Sequence, residues 1–242
     1  MAITVTDITT PNSPYFINEV NLTVLIATDH SDLFEVAPRD LQFAKKILSG
    51  GVGQSAALNA AASRISRGFI AFLEDDDTWM PEFLRVALES CSEFDFVSST
   101  QLEVNSDGEV LRINDFPTPS GWFMPVSLFY KVGFFCEDFR FHLDNEWLGR
   151  LSLTGATRVH LVEATAPITG AHASKVRPWL YNVLTSSGGR CKLKRHSSPY
   201  PLVKRLVHDQ SGMTNISNNR ESNDCSKFEI KALLERYGRI PW

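Results

Sequence analysis

Phe69-Ile70-Ala71-Phe72-Leu73-Glu74-Asp75-Asp76-Asp77-Thr78-Trp79-Met80-Pro81 joins an apolar run directly to four consecutive acids. The apolar half has the length and composition of a strand buried on both faces, as in a parallel sheet. Four adjacent carboxylates repel one another, and at the end of a buried strand that repulsion calls for a compensating cation. Hard divalent ions suit such a set, because they take carboxylate oxygens and leave room for substrate phosphates. A plainer alternative is electrostatic: acids ahead of Pro81 favour the dipole of the next helix.

Working outward, Leu22-Thr23-Val24-Leu25-Ile26-Ala27 has the same buried-strand pattern, and Ile3 to Val5 is a shorter β-like run. The first of these stops at the polar loop Thr28-Asp29-His30-Ser31-Asp32. Open α/β sheets bind ligands at such carboxyl ends. After Gly50, Gly51 and Gly53, the Ala-rich stretch Ser55 to Ser63 predicts a helix. Pro81 opens a second, over Glu82 to Ser90. Phe94 to Ser99 and Glu109 to Ile113 read as strands, with Asn105-Ser106-Asp107-Gly108 as a hairpin turn. Leu128 to Val132 predicts a short helix, and Leu143 to Leu153 an amphipathic one that Gly155 terminates. Val159 to Glu163 is the last strand candidate. Beyond His172 the pattern predicts loops and one or two peripheral helices. There Gly212 to Asp224 is polar enough to be disordered, and Phe228 to Tyr237 reads as a terminal helix. The fold class is therefore α/β: a mostly parallel central sheet flanked by helices, over residues 1–172, with a basic, partly flexible C-terminal helical and loop extension over 173–242.

The chain has 242 residues, 43% hydrophobic and 21% charged, with a net charge of −4, so it can bury a core and carries no global signal for nucleic acid. Charge is unevenly spread. No Asp or Glu lies between Lys175 and His208, where Lys175, Arg177, Arg190, Lys192, Lys194, Arg195, Lys204 and Arg205 fall. Such a stretch is a solvated face or a contact for phosphate, a membrane surface or a polyanion. Cys91, Cys136, Cys191 and Cys225 show no C-x-x-C spacing and read as free thiols of a reducing compartment. Neither a signal peptide nor a membrane-spanning run is evident, which gives a cytoplasmic expectation, with peripheral membrane contact left open.

The order of these pieces resembles the family 2 glycosyltransferases of the GT-A (Rossmann-like) fold. Gly53-Gln54-Ser55-Ala56-Ala57-Leu58-Asn59-Ala60 resembles the family's Gly-x-Ser-x-Ala-x-x-Asn helix, and Glu74-Asp75-Asp76-Asp77 its Asp-x-Asp motif. Asp29-His30-Ser31-Asp32 is similar to its Asp-x-Ser loop. Lys131-Val132-Gly133-Phe134-Phe135 is similar to its Lys-Val-Gly-Gly-Phe segment, and Asp144-Asn145-Glu146-Trp147-Leu148-Gly149-Arg150 to its Glu-Asp-x-x-Leu-x-x-Arg helix start. These matches span roughly residues 22 to 153. Leu58 stands where an Arg is common, and Leu143 where the family has Glu. The usual first strand and helix are compressed into residues 1–20.

The resemblance implies a metal-dependent transfer of sugar from a nucleotide-diphosphate sugar to an acceptor hydroxyl, with inversion. The acceptor would be a glycan, protein-linked or lipid-linked. It implies Mn2+ or Mg2+ as cofactor, with Asp76 the leading ligand, Glu74 and Asp77 beside it, and Asp75 on the ribose or a metal-bound water. Asp29, Ser31, Asn59 and Trp79 would line the cofactor side. His172, from a loop after the last strand, would be a third metal ligand or an ordinary surface histidine. Inversion needs a base for the acceptor hydroxyl. Asp144 fits at a helix start, whose dipole would keep it ionised; its alternative is a simple N-cap. Glu146, two residues on, points elsewhere on the helix and is the second candidate. Trp122 would face the acceptor or pack in the core. Two other functions use the same residues: a two-metal nucleotidyltransferase, and a glycosyltransferase-like binding domain without activity.

Overall fold

The computed structural model of the protein describes residues 2–5, 22–27, 53–167, 177–180, 190–209 and 211–242. The strands among them are β1 (Ala2–Val5), β2 (Leu22–Ala27), β3 (Phe69–Glu74), β4 (Thr78–Trp79), β5 (Phe96–Ser99), β6 (Gln101–Val104), β7 (Val110–Asn114), β8 (Phe123–Pro125), β9 (Arg158–Val162), β10 (Cys191–Arg195) and β11 (Val203–Leu206). The helices are α1 (Gln54–Ala62), α2 (Phe83–Ser90), α3 (Val126–Val132), α4 (Leu143–Leu153), α5 (Gly212–Asn218) and α6 (Arg220–Tyr237).

The larger sheet has the order β1-β2-β3-β8-β5-β9-β10, and the smaller β4-β11-β6-β7. In the larger sheet β2 runs parallel to β3, and β9 parallel to β5 and β10. Because β8 is antiparallel to both β3 and β5, those five strands all point one way, while β1 and β8 oppose them. This is the expected GT-A sheet, mostly parallel. Its carboxyl edge is where β3 delivers the acidic run.

Alternation along β3 explains why it reads as unbroken hydrophobic sequence. Ile70 and Phe72 face a core built with Leu58 of α1, Phe129 of α3, and Trp147, Leu148 and Leu151 of α4. Ala71 and Leu73 face the opposite core, with Phe83, Leu84 and Ala87 of α2, Trp79 of β4 and Val203 of β11. Successive side chains of a strand alternate between faces, so a strand covered on both must be apolar throughout. The first core is a continuous aromatic stack, with Trp122 and Trp147 at 5.0 Å and Phe72 and Phe135 at 5.6 Å between ring centres.

Several expectations are refined. The hairpin at 105–108 joins β6 to β7, not the strand at Phe96 to β7, because the chain leaves the larger sheet at Thr100 and enters the smaller one. Pro81 precedes α2 by one more residue than expected, with Glu82 at the N-cap. The polar stretch 212–224 is helical: α5 runs into α6, whose N-cap Asn219 accepts a bond from the Ser222 N–H. Helix α4, read as amphipathic, keeps no fully wet face. Asn145, Glu146 and Gly149 are also buried, since α6 lies across them. The basic segment supplies two strands that the sequence did not announce. β10 extends the larger sheet at its edge, where Lys and Arg suit an unpaired strand flank. β11 sits inside the smaller sheet, between β4 and β6. Among the described residues no helix is long and apolar enough to cross a membrane.

The α4–α6 contact is tight enough to test. A Cβ on Gly149 would lie 2.5 Å from two ring atoms of Tyr237. Gly149→Ala should destabilise the fold by about 1–3 kcal/mol, the usual cost of overpacking, read by denaturant unfolding. Tyr237→Leu in the same chain should recover part of the loss.

Candidate active site

The acidic run is a tight turn, closed by the Asp77 N–H donating to the Glu74 carbonyl at 3.1 Å. Ser120, wholly buried in the 3-10 turn Pro119–Gly121, grips it twice. Its hydroxyl accepts from the Glu74 N–H at 2.9 Å and donates to Asp77 Oδ2 at 2.6 Å. The other Asp77 oxygen accepts from the Leu206 N–H of β11 at 3.2 Å. Glu74 Oε1 takes the side-chain amide of Gln54, from the start of α1, at 3.3 Å. Asp76 Oδ2 lies 2.9 Å from His208 Nε2. These supports bring one oxygen each of Glu74, Asp76 and Asp77 within 4.8 Å of one another. That spacing fits a divalent ion with ligand bonds of about 2.0–2.6 Å. The three expected metal carboxylates thus come together, while Asp75 is part-exposed on the same turn.

Confinement sets their proton affinity. Burial raises Glu74, opposed by the charge of Arg205 and reinforced by Asp76. Burial raises Asp77 well above the usual carboxylate range, with Glu74 adding to it and the Ser120 hydrogen bond opposing. Buried carboxylates favour the neutral acid unless a cation is near. A cation that acts on them is Arg205 of β11: burial lowers its own affinity for its proton, and Glu74, Asp77, Glu103 and Asp144 raise it by more. One guanidinium therefore acts electrostatically on both the acidic turn and the start of α4.

Asp144 lies one residue inside α4. It is part-exposed, yet burial pushes its carboxyl up to about 7, with a hydrogen bond from the Asn145 N–H opposing, Glu74 adding and Arg205 subtracting. The helix dipole was expected to keep it ionised; desolvation outweighs that. Its approach is held from α6. Glu229, 2% exposed, accepts the N–H groups of Arg140, Phe141 and His142 at 2.7, 3.0 and 2.9 Å. His142 then bridges Ser226 of α6 at 2.8 Å and Asn145 at 3.2 Å. The helix start thus borrows its cap from a helix eighty residues on, since its own N-cap His142 makes no side-chain cap bond.

Other expected residues serve the frame. Glu146 is 1% exposed and bound by Arg150 and Arg236 at 2.7 and 2.9 Å, so its carboxylate is occupied. Trp79, expected on the cofactor side, is buried and donates its indole N–H to the Ser120 carbonyl at 2.6 Å. Asn59 spends both ends of its amide on the chain at 135–137: its oxygen takes the Phe135 N–H at 2.8 Å and its nitrogen donates to the Phe135 carbonyl at 2.9 Å. It too is a clamp in this structure. Trp122 is fully buried and donates to the Pro117 carbonyl. Asp29, Ser31 and His172 lie outside the described residues. Arg205 and His208 were not singled out from sequence; the only signal was the acid-free basic stretch that contains both.

The mostly parallel sheet, with an acidic turn at the carboxyl edge of β3, agrees with the GT-A fold class. The family model "Glycosyl transferase family 2" matches residues 19–143, more than half of the chain, and the chain belongs to that family. No curated protein matches. Among solved structures, the crystal structure of S. aureus TarS 1-349 in complex with UDP is similar at 12% identity and a TM-score of 0.40, covering 77% of this chain and 52% of that one. This chain spans about half the length of that structure.

The raised Asp144 carboxyl has a consequence for stability. Between the usual carboxylate range and about 7 the folded state holds this proton more tightly than the unfolded chain. Its contribution is therefore full at low pH and is lost as pH rises through about 7. Asp144→Asn should raise the melting temperature relative to the parent at about pH 8, and the gap should shrink by about pH 5. A gap that is equal at both, by scanning calorimetry, would refute the assignment.

Proposed function

We propose that this glycosyltransferase moves a sugar from a nucleotide-diphosphate sugar to an acceptor hydroxyl with inversion, using Mn2+ or Mg2+. The observation that carries it is one shared field: Asp144 and the acidic turn lie close enough that Glu74 and Arg205 both act on the Asp144 carboxyl. A base and a diphosphate site on opposite sides of one sugar would need that arrangement.

In this reading Asp76 is the leading metal ligand. One of its oxygens meets His208, whereas both oxygens of Asp77 are engaged by Ser120 and Leu206. Glu74 joins Asp76, and Asp77 holds the turn in shape while offering its remaining lone pairs. Bound there, the cation would offset charge on the departing diphosphate. His208 takes the third-ligand role, and His172 is kept as the second candidate. Asp75 is assigned to the ribose, and Asp29 with Ser31 to the nucleotide base. Asn59 and Trp79 act from behind, by fixing the 135–137 chain and the floor of the turn.

Asp144 takes the proton of the acceptor hydroxyl as it attacks the anomeric carbon. A carboxyl near 7 is a better base at neutral pH than an ordinary one, because basicity rises while much of the group stays ionised. Glu146 we read as the anchor of Arg150 and Arg236. The acceptor is a glycan, protein-linked or lipid-linked, and the reaction is placed in the cytoplasm, without nucleic acid. We divide the chain at 172, with 173–242 as an extension that completes the site through Arg205 and His208.

The test is incubation with a panel of nucleotide sugars and Mn2+, scoring released nucleoside diphosphate against pyrophosphate. Nucleoside diphosphate is expected, with turnover rising with pH and levelling above about 7 as Asp144 ionises. Asp144→Asn and Asp76→Asn should each lose about a hundredfold or more, the former with donor affinity within a few-fold of the parent. Pyrophosphate release would favour the nucleotidyltransferase reading, and no binding of any nucleotide would end the enzyme reading. Retained turnover in Asp144→Asn would move the base elsewhere.

A further inference from the structure

Arg205 stands opposite Glu103 in the β11–β6 ladder, next to Leu206, whose N–H holds Asp77. Its side chain is 17% exposed. The tether to Glu103 is loose: Arg205 Nη1 reaches Glu103 Oε1 at 3.3 Å, while Arg112 Nε holds Oε2 at 2.5 Å and Asn114 donates to Oε1 at 2.9 Å. Glu103 is thus served mainly by its own hairpin. The guanidinium meanwhile acts on Glu74, Asp77 and Asp144. Its neighbour Lys204 is exposed, as are Arg64 and Arg67 beyond the end of α1.

We propose that Arg205 is a direct ligand of the donor's diphosphate, an inference that rests on the acidic turn being the metal and diphosphate site. A guanidinium carries a planar fork of donors that matches phosphate oxygens two at a time and stays charged at any working pH. The acids of the turn can attract a metal but repel a diphosphate. A fixed cation beside them reverses that repulsion on the phosphate side while slightly weakening the pull on the metal. The two effects have opposite signs, so they separate the role of substrate ligand from that of mere counter-charge to the acids.

The full chain would be titrated with Mn2+ alone, by electron paramagnetic resonance, and then with inorganic pyrophosphate at saturating Mn2+, by calorimetry. Arg205→Met should bind pyrophosphate about tenfold or more weakly, the loss expected for a charged hydrogen bond, with Mn2+ affinity unchanged or tighter. Arg205→Lys should fall between, since it keeps the charge and loses the fork, and it decides the matter should Arg205→Met fail to fold by circular dichroism. Pyrophosphate affinity within about twofold of the parent in the folded variant would overturn the assignment. So would a joint fall in Mn2+ and pyrophosphate binding, which would mean that Arg205 only shapes the turn. If the parent binds neither probe, the reading of the acidic turn fails and this inference falls with it.

Discussion

Everything in the site hangs on a turn of carboxylates forced together at the end of a buried strand. Desolvating an unpaired charge is costly, and one side chain does not suffice to offset four. The fold answers with dipoles and one guanidinium. Ser120 touches both ends of the turn, β11 supplies the Leu206 N–H, and Arg205 stands across from Glu74 and Asp77. The turn needs the close approach at Gly121, where a Cβ would sit 3.1 Å from the backbone of Ser99. The geometry of the acids is therefore set by segments forty and a hundred and thirty residues away. Replacing one acid changes the field felt by the rest.

The same long-range logic fixes Asp144. Helix α4 makes no side-chain cap of its own, and α6 provides one through Glu229. Further along, Arg236 and Tyr237 engage Glu146, and Asn145 donates to the Pro241 carbonyl. Four residues from Glu229 to Pro241 thus fasten α4 and its approach to the C-terminal end of the chain. Charge-assisted bonds to backbone N–H groups are short and orienting. Such a clamp limits how far a side chain one turn away can wander, which matters for a group that must meet a hydroxyl at hydrogen-bond distance.

How far could this be read from the chain? β3 was legible because both its faces are apolar, and the acidic turn because nothing local could balance it. Asp144 stood out as a candidate base only through resemblance, since an acid at a helix start is equally an N-cap. The hydrogen-bond partners of Trp79 and Asn59 were not legible, for a physical reason. A buried indole N–H and a half-buried amide take partners within the chain as readily as from a ligand, and sequence does not say which they find. Residues 212–224 looked unstructured because none of them is buried: α5 has no apolar face in the core and rests on α6, which periodicity within the segment does not encode. β11 was hidden in a short run, Val203 to Leu206, whose strand character comes from pairing on both sides with β4 and β6.

The basic stretch shows most clearly why local composition underdetermines a site. It read as one feature, yet its described residues occupy at least three different settings. Arg177 lies buried between Asp115 and Glu163, an ion triad with no solvent role. Lys192, Lys194 and Arg195 decorate the edge strand β10. Arg205 and His208 turn inward, to the acids that the stretch itself lacks. The absence of Asp and Glu over that span therefore does not by itself mark a polyanion surface. Its partners are simply elsewhere in the sequence: Asp115 and Glu163 for one arginine, Glu74, Asp77, Glu103 and Asp144 for another. A charge imbalance along the chain becomes balance in space, and what it marks is where distant segments must meet.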